Sequence, residues 1–364
     1  MSLHHSTFGV LGIPVDEFGI DQVIREIDKA VFSHRKILIS TINANFLANS
    51  AISKRFRLSL LRSDVCTVDG IGMLLMCRLA FVRKISRVSG ADVMEQLLSR
   101  DHTDIGRPLR IFFFGGNGEI ANRARHIVNK TPSSTICCVG SLNPGFGSMD
   151  DISSPDFLRI INDAHADFLI VSLGAERGQE WLLRNRAELN VAVSAHLGAA
   201  VNFVAGSITR APRGWQRLGF EWLWRIRQEP LLAKRYYRDA LILLRLLMRD
   251  AMPLALGQMR DRMLLAIWPR PVRVEVESER QRVTIRVSGA AIDSAEMFDK
   301  FFAQALNEQR DVMLDCRRLT AIDAASVGAI MRLERDLEER GFHLLIKQAP
   351  RRLGRGPDLT RAVA

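Results

Sequence analysis

Cysteine motifs are missing from this sequence of 364 residues. Its five cysteines, at positions 66, 77, 137, 138 and 316, form no CxxC pair and have no histidine close by in sequence. We therefore expect neither a zinc site nor a disulfide framework, but reduced, buried thiols. The first residues also lack a basic flank followed by a continuous apolar core, so we expect no secretory signal and a cytoplasmic location.

Long apolar runs and acidic residues are also scarce. Arginines at 245 and 249 interrupt the leucine-rich stretch after residue 239, whereas a bilayer-spanning helix needs about 20 apolar residues. Only 40 acidic residues face 51 Lys and Arg, which gives a net charge of +11. This excess predicts an anionic partner, whether nucleic acid, phospholipid or phosphorylated substrate.

Six short apolar runs do recur between residue 36 and about residue 205, and each closes on polar residues or glycine. They read KILIST, DVCTVDG, RIFFFGG, TICCVGS, DFLIVSLG and VAVSAHLG. Because amphipathic stretches separate them, they predict a Rossmann-like α/β domain with a parallel sheet wrapped by helices. Ligands of such sheets bind at the carboxyl ends of the strands, so the residues after each run are the candidates for a site.

Polar side chains follow two of these runs. Asp69 directly follows the run that ends in Val68, and a carboxylate there can act as a general base or simply cap the next helix. Thr41, Asn43 and Asn45 follow the first run. They can hydrogen-bond sugar hydroxyls, or they can serve turn and cap chemistry, and both interpretations stay open.

Two further turns are candidates for substrate binding. Gly115 and Gly116 lie in FFFGGNGE, which resembles a nucleotide-binding turn without matching GxGxxG or the P-loop pattern. Gln179 lies in GAERGQEW after another strand-like run, where it can reach a ligand or belong to a solvated helical turn.

The segment from Arg210 to Arg249 is strongly basic, with ten Lys or Arg against three acids. It also holds three of the five tryptophans, Trp215, Trp222 and Trp224. Zinc-finger and RNA-binding strand signatures are lacking, so a nucleic-acid partner is not favoured. A basic amphipathic appendage at a membrane interface fits better, although core packing is an alternative use of each single tryptophan.

A second domain is predicted after Pro269 and Pro271, where the pattern changes to two alternating strands, VRVEVESERQRVTIRVSG. A helix at about 294 to 308, a strand DVMLDC, a turn TAIDAAS, a helix at about 325 to 340 and a strand HLLIK follow. The predicted divisions are residues 1–208, an appendage and linker at 209–270, the second domain at 271–350 and a basic flexible tail at 351–364.

The motifs GVLGIPVDEF, TINANF, DVCTVDGIG, RVSGADV, IFFFGG and ITRAPRGWQRLGFEWLWRIRQEP stand in one order along residues 8 to about 240. In that order they resemble the WecG/TagA/CpsF glycosyltransferases, glycosyltransferase family 26. The resemblance implies transfer of a sugar from a UDP-sugar donor to a polyprenyl-diphosphate-linked saccharide at the cytoplasmic membrane face. It also implies no metal and no other cofactor.

The resemblance assigns roles to individual residues. Asp69 would be the base for an inverting attack, and Thr41 and Asn43 match pocket residues of the family. Arg87 in RVSG matches a functional arginine, as do Arg225 and Arg235 in the basic segment that also carries Arg210. Without a metal, arginines must offset the charge of the departing diphosphate.

The sequence departs from the family pattern at two places. GAERGQEW stands where the family commonly has a Gly-x-Pro-Lys-Gln-Glu turn, so Gly178 takes the place of the glutamine and Gln179 becomes a substitute. Leu232 stands where an arginine is usual after EP, so donor or acceptor preference is expected to differ.

Residues 272 to about 348 resemble a STAS domain, in which regulatory members carry a phosphorylatable serine after an Asp-Ser pair. Here Ala324 and Ala325 follow Asp323, and Ser326 is displaced by one position. We therefore expect a docking role with a protein partner, with Ser326 at a helix start.

The combined expectation is a peripheral membrane enzyme of exopolysaccharide or cell-envelope polysaccharide biosynthesis, with self-association into a homo-oligomer left open. A non-catalytic membrane scaffold that binds partners through the STAS-like domain is the alternative, and the altered GAERGQEW turn supports it.

Overall fold

The structure, a computed structural model, describes residues 6–130, 135–279 and 281–348. The predicted tail at 351–364 lies outside these residues. The strands are β1 (Thr7–Val10), β2 (Ile13–Asp16), β3 (Ile37–Ile42), β4 (Val65–Val68), β5 (Leu109–Gly115), β6 (Ile136–Leu142), β7 (Phe168–Ser172), β8 (Val193–His196), β9 (Arg273–Ser278), β10 (Arg282–Ala291), β11 (Asp311–Ile322) and β12 (Leu344–Lys347).

The helices of the first half of the chain lie between these strands. They are α1 (Ile20–Phe32), α2 (Ala44–Ile52), α3 (Lys54–Leu61), α4 (Ile71–Leu79), α5 (Gly90–Ser99), α6 (Ile120–Lys130), α7 (Met149–Ile152), α8 (Pro155–Asp163), α9 (Ala175–Asn185) and α10 (Ala200–Val204). The later helices are α11 (Arg213–Leu218), α12 (Glu221–Gln228), α13 (Leu232–Leu246), a π-helical turn (Leu247–Ala251), α14 (Met252–Ile267), α15 (Ala295–Asn307) and α16 (Ala324–Glu339).

The main sheet has six strands in the order β4-β3-β8-β7-β5-β6, and every neighbouring pair is parallel. Each of the six apolar runs forms one of its strands, so the predicted parallel α/β domain is confirmed. The central strand β7 is buried from Phe168 to Val171, as expected for a strand that is covered on both faces. This arrangement brings the carboxyl ends of all six strands to one edge.

One face of this sheet carries an aromatic core. Trp181 of α9 is fully buried and packs in a tilted arrangement against Phe114 of β5, with 4.4 Å between the ring centroids. Its indole nitrogen donates a 2.8 Å hydrogen bond to the carbonyl of Ile152, so the buried polar atom is satisfied. This packing fixes α9 beside the sheet, directly after the carboxyl end of β7.

The C-terminal sheet has the order β12-β11-β10-β9, with β9 antiparallel and the other pairs parallel. Its core includes Phe298 and Phe302, stacked at 5.3 Å. The small α/β domain predicted here is confirmed. The predicted turn TAIDAAS is shorter than expected, because Ala321 and Ile322 still pair with Ala290 and Ala291 and therefore extend β11.

The chain divides into two compact units. One contains the main sheet and consists of Phe18–Met73 and Ser86–Leu241. The other contains the C-terminal sheet and consists of the chain up to Glu17, Leu74–Ile85 and the chain from Ile242 onward. The hairpin of β1 and β2 thus groups with the C-terminal sheet, and the sequence-based domain boundaries stay a prediction. In the described residues, no helix combines the length and apolar character needed to cross a membrane.

Candidate functional site

The ends of β3 and β4 bring the first predicted site residues together. The two strands pair in parallel with Thr41 opposite Thr67, and the backbone N–H of Asp69 donates to the carbonyl of Ile42 at 2.8 Å. Asn43 caps α2, since its side-chain oxygen accepts from the N–H of Phe46 at 3.1 Å. The Asn43 side chain also hydrogen-bonds the Asp69 carboxyl. The predicted cap role of Asn43 and its contact with Asp69 therefore coexist.

Asp69 is an unusual carboxyl group. Burial raises its pKa to about 7, and the nearby carboxylates of Glu221 and Asp92 add to this increase. The Arg87 guanidinium and the Asn43 hydrogen bond act in the opposite direction. A carboxyl with this pKa exchanges a proton readily at neutral pH, which is the property that a general base requires.

Arg87 lies beside the end of β4. It forms an isolated parallel bridge with Val68, and the next backbone N–H, of Val88, donates to the Val68 carbonyl at 2.8 Å. Its guanidinium contacts both carboxylate oxygens of Glu221, at 3.1 and 3.2 Å. Asp92 lies 3.7 Å away. The predicted catalytic pair, Asp69 and Arg87, is therefore in one place, together with an appendage glutamate.

Arg210 completes the charged group. It hydrogen-bonds Asp92 and Glu95, which lie on α5. Burial opposes ionisation of Asp92, but hydrogen bonds from Arg210 and Ser89 outweigh it and hold the pKa of Asp92 below its usual value. The guanidinium groups of Arg87 and Arg210 are therefore both paired with carboxylates. Guanidinium groups also bind phosphate oxygens, so these carboxylates hold the positions that a diphosphate would take.

Asn45 connects the site to the appendage. Its amide nitrogen donates a 2.7 Å hydrogen bond to the carboxylate of Asp239, a buried residue of α13. On the next turn of α2, Asn49 accepts a 3.4 Å hydrogen bond from Arg238. Helix α13 is thus held beside α2, and Asn45 is a structural contact in this state.

Gly115 and Gly116 close β5 in left-handed conformations, with φ of 98° and 90°. A Cβ at Gly115 would lie 2.6 Å from the carbonyl oxygen of Ser172, so the turn requires glycine. Strands β8 and β7 separate β5 from β3, which places this turn about 14 Å from the Thr41 strand along the carboxyl edge.

Gln179 and Gly178, which stands in the place of the family's glutamine, lie on the other face of β3. Gln179 is fully buried and donates to the hydroxyl of Ser40 at 2.8 Å, whereas Thr41, the next residue, points to the opposite face. A Cβ at Gly178 would lie 2.2 Å from the ring of His196. A glutamine side chain at position 178 is therefore incompatible with His196.

Ser40, Gln179 and His196 form a second polar cluster on this face of β3. The sequence analysis missed its histidine. His196 ends β8 in register with Ser40, and neither ring nitrogen has a hydrogen-bond partner in the described part of the chain. Burial lowers its pKa to about 4, so the ring is neutral at pH 7. A histidine at the end of a strand-like run, in VAVSAHLG, was the available signal.

The remaining appendage residues have other contacts. Arg225 pairs with Glu229 at 2.5 Å and lies 5.6 Å from the ring of Phe203, whereas Arg235 is exposed and lies 5.4 Å from the ring of Tyr236. Arg87 and Arg210 are therefore brought together, while Arg225 and Arg235 make contacts elsewhere.

The three tryptophans differ from one another. Trp215 and Trp222 are 41% and 42% exposed. Trp224 is less exposed, packs 6.0 Å from Trp215 and donates to the carbonyl of Thr209 at 3.1 Å. Trp224 thus serves packing, whereas Trp215 and Trp222 present ring surface to the outside.

Asp92, Glu95 and Glu221 were also missed from the sequence. Asp92 belongs to a capping box with Ser89, which a Ser-x-x-Asp spacing could have indicated. Glu221 lies between Trp215 and Trp222 in the sequence. Its partner Arg87 is 134 residues away, so no local pattern indicated the pair. Within residues 6–130, 135–279 and 281–348, no three His, Cys, Asp or Glu side chains are arranged to hold a metal ion.

The site thus combines a carboxyl of raised pKa with guanidinium groups at the carboxyl edge of a parallel α/β sheet. The sequence pattern of the Glycosyl transferase WecG/TagA/CpsF family matches residues 8–255. The chain belongs to this family, as predicted, and is a glycosyltransferase of cell-envelope polysaccharide synthesis. The family implies a lipid-linked sugar acceptor.

The C-terminal domain is a STAS domain, which is a protein-interaction domain. The pattern described as Mlab, STAS domain, matches residues 274–359. A crystal structure of an antisigma-factor antagonist STAS domain from Rhodobacter sphaeroides is similar, with 19% sequence identity and a TM-score of 0.19. The match covers 24% of this chain and 95% of that chain.

Proposed function

We propose that the enzyme transfers a sugar, with inversion and without a metal, from a UDP-sugar to a polyprenyl-diphosphate-linked saccharide. The observation that carries the proposal is the Asp69 carboxyl, with its pKa of about 7, at a strand end beside Arg87. The ionised fraction of Asp69 at neutral pH supplies the base, and Arg87 supplies positive charge close to it.

The proposed reaction is a single displacement. The Asp69 carboxylate takes the proton of an acceptor hydroxyl, and the hydroxyl oxygen forms a bond to the anomeric carbon of the donor sugar. The bond between that carbon and the diphosphate oxygen breaks, and the UDP leaves with the electron pair. Attack from the face opposite the leaving group inverts the configuration at the anomeric carbon.

Arginines would stabilise the leaving diphosphate in this scheme. Arg87 and Arg210 are the candidates, because guanidinium groups bind phosphate oxygens in a bidentate manner and require no metal ion. Both are paired with carboxylates, and the Glu221 carboxylate contacts Arg87 much as a phosphate would. We infer that a donor diphosphate displaces Glu221 from Arg87, so that helix α12 responds to donor binding.

The glycine turn after β5 supports a donor that extends along the carboxyl edge. Gly116 is partly exposed and has no side chain, which allows a nucleotide to approach its backbone closely, whereas Gly115 is buried against Ser172 and Leu173. Thr41, which is buried, and Asn43 lie about 14 Å along the sheet from this turn, and we assign them to the transferred sugar. Residues Arg225, Arg235 and Gln179 enter this scheme only if the appendage and α9 rearrange around a substrate.

Exposed apolar side chains support attachment to the inner face of the cell membrane. Helix α14 exposes Met252, Leu256, Met259 and Met263, whose spacing of three or four residues places them on one helical face. The exposed rings of Trp215 and Trp222 are suited to the headgroup region, and the arginines of the segment complement anionic lipids.

A donor screen tests the proposal. Full-length protein is incubated with detergent-solubilised membrane lipid and a panel of nucleotide sugars, and nucleotide release is measured for wild type, Asp69→Asn and Asp156→Asn. Asp156 is a matched control, because it is exposed on α8 and pairs only with Arg159 among the described contacts. Lipid-dependent release that Asp69→Asn abolishes and Asp156→Asn retains supports the transferase.

The alternative is a non-catalytic scaffold. The altered turn GAERGQEW at α9 is the observation that favours it. Position 178 has no side chain, and His196 occupies the space beside it. If a folded protein with a competent acceptor releases nucleotide from none of the donors, the scaffold becomes the better account.

A further inference from the structure

The N-terminal hairpin, formed by β1 and β2, is buried although it contains only two strands. Its strands pair from Thr7 with Asp16 to Val10 with Ile13, and the Thr7 hydroxyl donates to the Asp16 carboxylate at 2.6 Å. Val10, Ile13 and Val15 have almost no exposed surface. An isolated two-stranded hairpin is marginally stable in water, so other parts of the protein must cover it.

Helix α16 of the STAS domain supplies part of that cover. Two glycines make this contact: Gly328 of α16 lies against β1, and Gly9 of β1 lies against α16. A Cβ at Gly328 of α16 would lie 1.9 Å from the carbonyl oxygen of Thr7, and a Cβ at Gly9 of β1 would lie 2.3 Å from a methyl group of Val327. Strand and helix backbones therefore touch, and no other residue fits at either position without movement.

The same helix is needed by its own domain. Ile330, Leu333 and Leu337 face the STAS core, so α16 is packed against strands β10 to β12 and against the hairpin at once. At its start, Asp323 caps the helix by accepting from the N–H of Ser326 at 2.8 Å. Ser326 is fully buried and donates to the carbonyl of Ala291 at 3.3 Å, so its hydroxyl is not accessible to a kinase in this state.

We propose that the hairpin of residues 7–16 is the partner of the STAS domain at the first turns of α16, bound within the same chain. The STAS domain thereby acts as a clamp on the start of the glycosyltransferase segment, whose family match begins at residue 8. An external protein reaches this surface only if the hairpin leaves it.

Hydrogen exchange on the full-length protein tests the clamp. Gly328→Val places a bulky side chain where there is no room beside Thr7, so amides within residues 7–16 should exchange on the order of 10-fold faster or more. Amides of β10 and β11 should keep their wild-type protection. Gly214→Val in α11 is the control, because nothing lies within 4 Å of a Cβ at that position.

If Gly328→Val unfolds the STAS domain, a substitution in the hairpin itself, Gly9→Val in β1, still tests the proposal. Gly9→Val should then release the hairpin and leave the STAS strands protected. Unchanged protection of residues 7–16 in Gly9→Val, or in a folded Gly328→Val protein, would overturn the proposal.

A cross-link decides whether the contact is within one chain. In the double variant Gly9→Cys with Val327→Cys, the two Cβ positions are close enough for a disulfide after a shift of about 1 Å. We expect a disulfide within the monomer under mild oxidation. A cross-link only between two chains, or none in a folded protein, would contradict a partner in cis.

Discussion

Two polar clusters lie on opposite faces of β3, and one of them is charged whereas the other is neutral. Around Asp69, carboxylates and guanidinium groups are paired, and a carboxyl with a pKa of about 7 lies among them. Around His196, burial lowers the pKa of the imidazole to about 4, and no charged partner accompanies it among the described residues. Burial favours the neutral forms of Asp69 and His196 alike. Only the cluster around Asp69 also holds ion pairs, whose carboxylates an anionic substrate can displace from the arginines.

The largest predicted effect is that of removing the Asp69 carboxylate. Asp69→Asn should lower the transfer rate about 10³-fold, because a general base contributes ~10²–10⁴ in rate. Nucleotide release with saturating acceptor measures it, with Asp156→Asn as the control. A loss of less than tenfold would show that the acceptor hydroxyl is deprotonated by another group.

The pKa of Asp69 also predicts a pH dependence. The value of kcat/KM should fall about tenfold per pH unit below pH 7, because the protonated carboxyl is not a base. Stability should change in the opposite sense. Since the folded pKa lies above the unfolded value of 3.8, the native state loses stability as pH rises from about 4 to 7. Asp69→Asn should therefore melt at a higher temperature than wild type at pH 8.

Removing the Arg87 guanidinium should have the next largest effect. Arg87→Ala should lower kcat/KM about 10²-fold, since it removes a preorganised cation near the departing diphosphate. Arg159→Ala, an exposed arginine of α8, is the matched control. Equal activities of wild type and Arg87→Ala would exclude a role for this arginine on the diphosphate.

Glu221 should have a smaller effect of the opposite sign. Glu221→Gln frees Arg87, so UDP should bind about 5–10-fold more tightly in calorimetry, on the order of 1 kcal/mol. Because Glu221 also raises the pKa of Asp69, the acidic limb of the rate profile should move to lower pH. Weaker UDP binding would instead mean that Glu221 orients Arg87 for the substrate.

The smallest effect is expected at the second cluster. His196→Leu removes two buried ring nitrogens that have no hydrogen-bond partner among the described residues, and it should raise the free energy of unfolding by about 1 kcal/mol at neutral pH. Wild type should lose stability as pH falls from 6.5 towards 4, because the unfolded state binds the proton more tightly. Denaturation at pH 5 and pH 7 measures this, and a large loss of transfer in His196→Leu would place the residue in the reaction.

The periodic parts of the fold could be predicted from the sequence. The six runs from KILIST to VAVSAHLG became the six strands of one parallel sheet, because buried strands need continuous apolar residues whatever their neighbours. The extension of β11 through Ile322 could not be foreseen. Its last residues are held by pairing with Ala290 and Ala291, a contact between distant parts of the chain.

The site was only partly predictable for the same reason. The sequence by itself determined that Asp69 and Asn43 would lie at the same edge of the sheet, since the carboxyl ends of all parallel strands meet there. Tertiary structure decided that Glu221 occupies Arg87, that His196 fills the space beside Gly178, and that Gly9 and Gly328 let the hairpin lie on α16. Local patterns fix which segments form strands and helices. The pairing of charges, and the room beside a glycine, depend on which distant segments folding brings into contact.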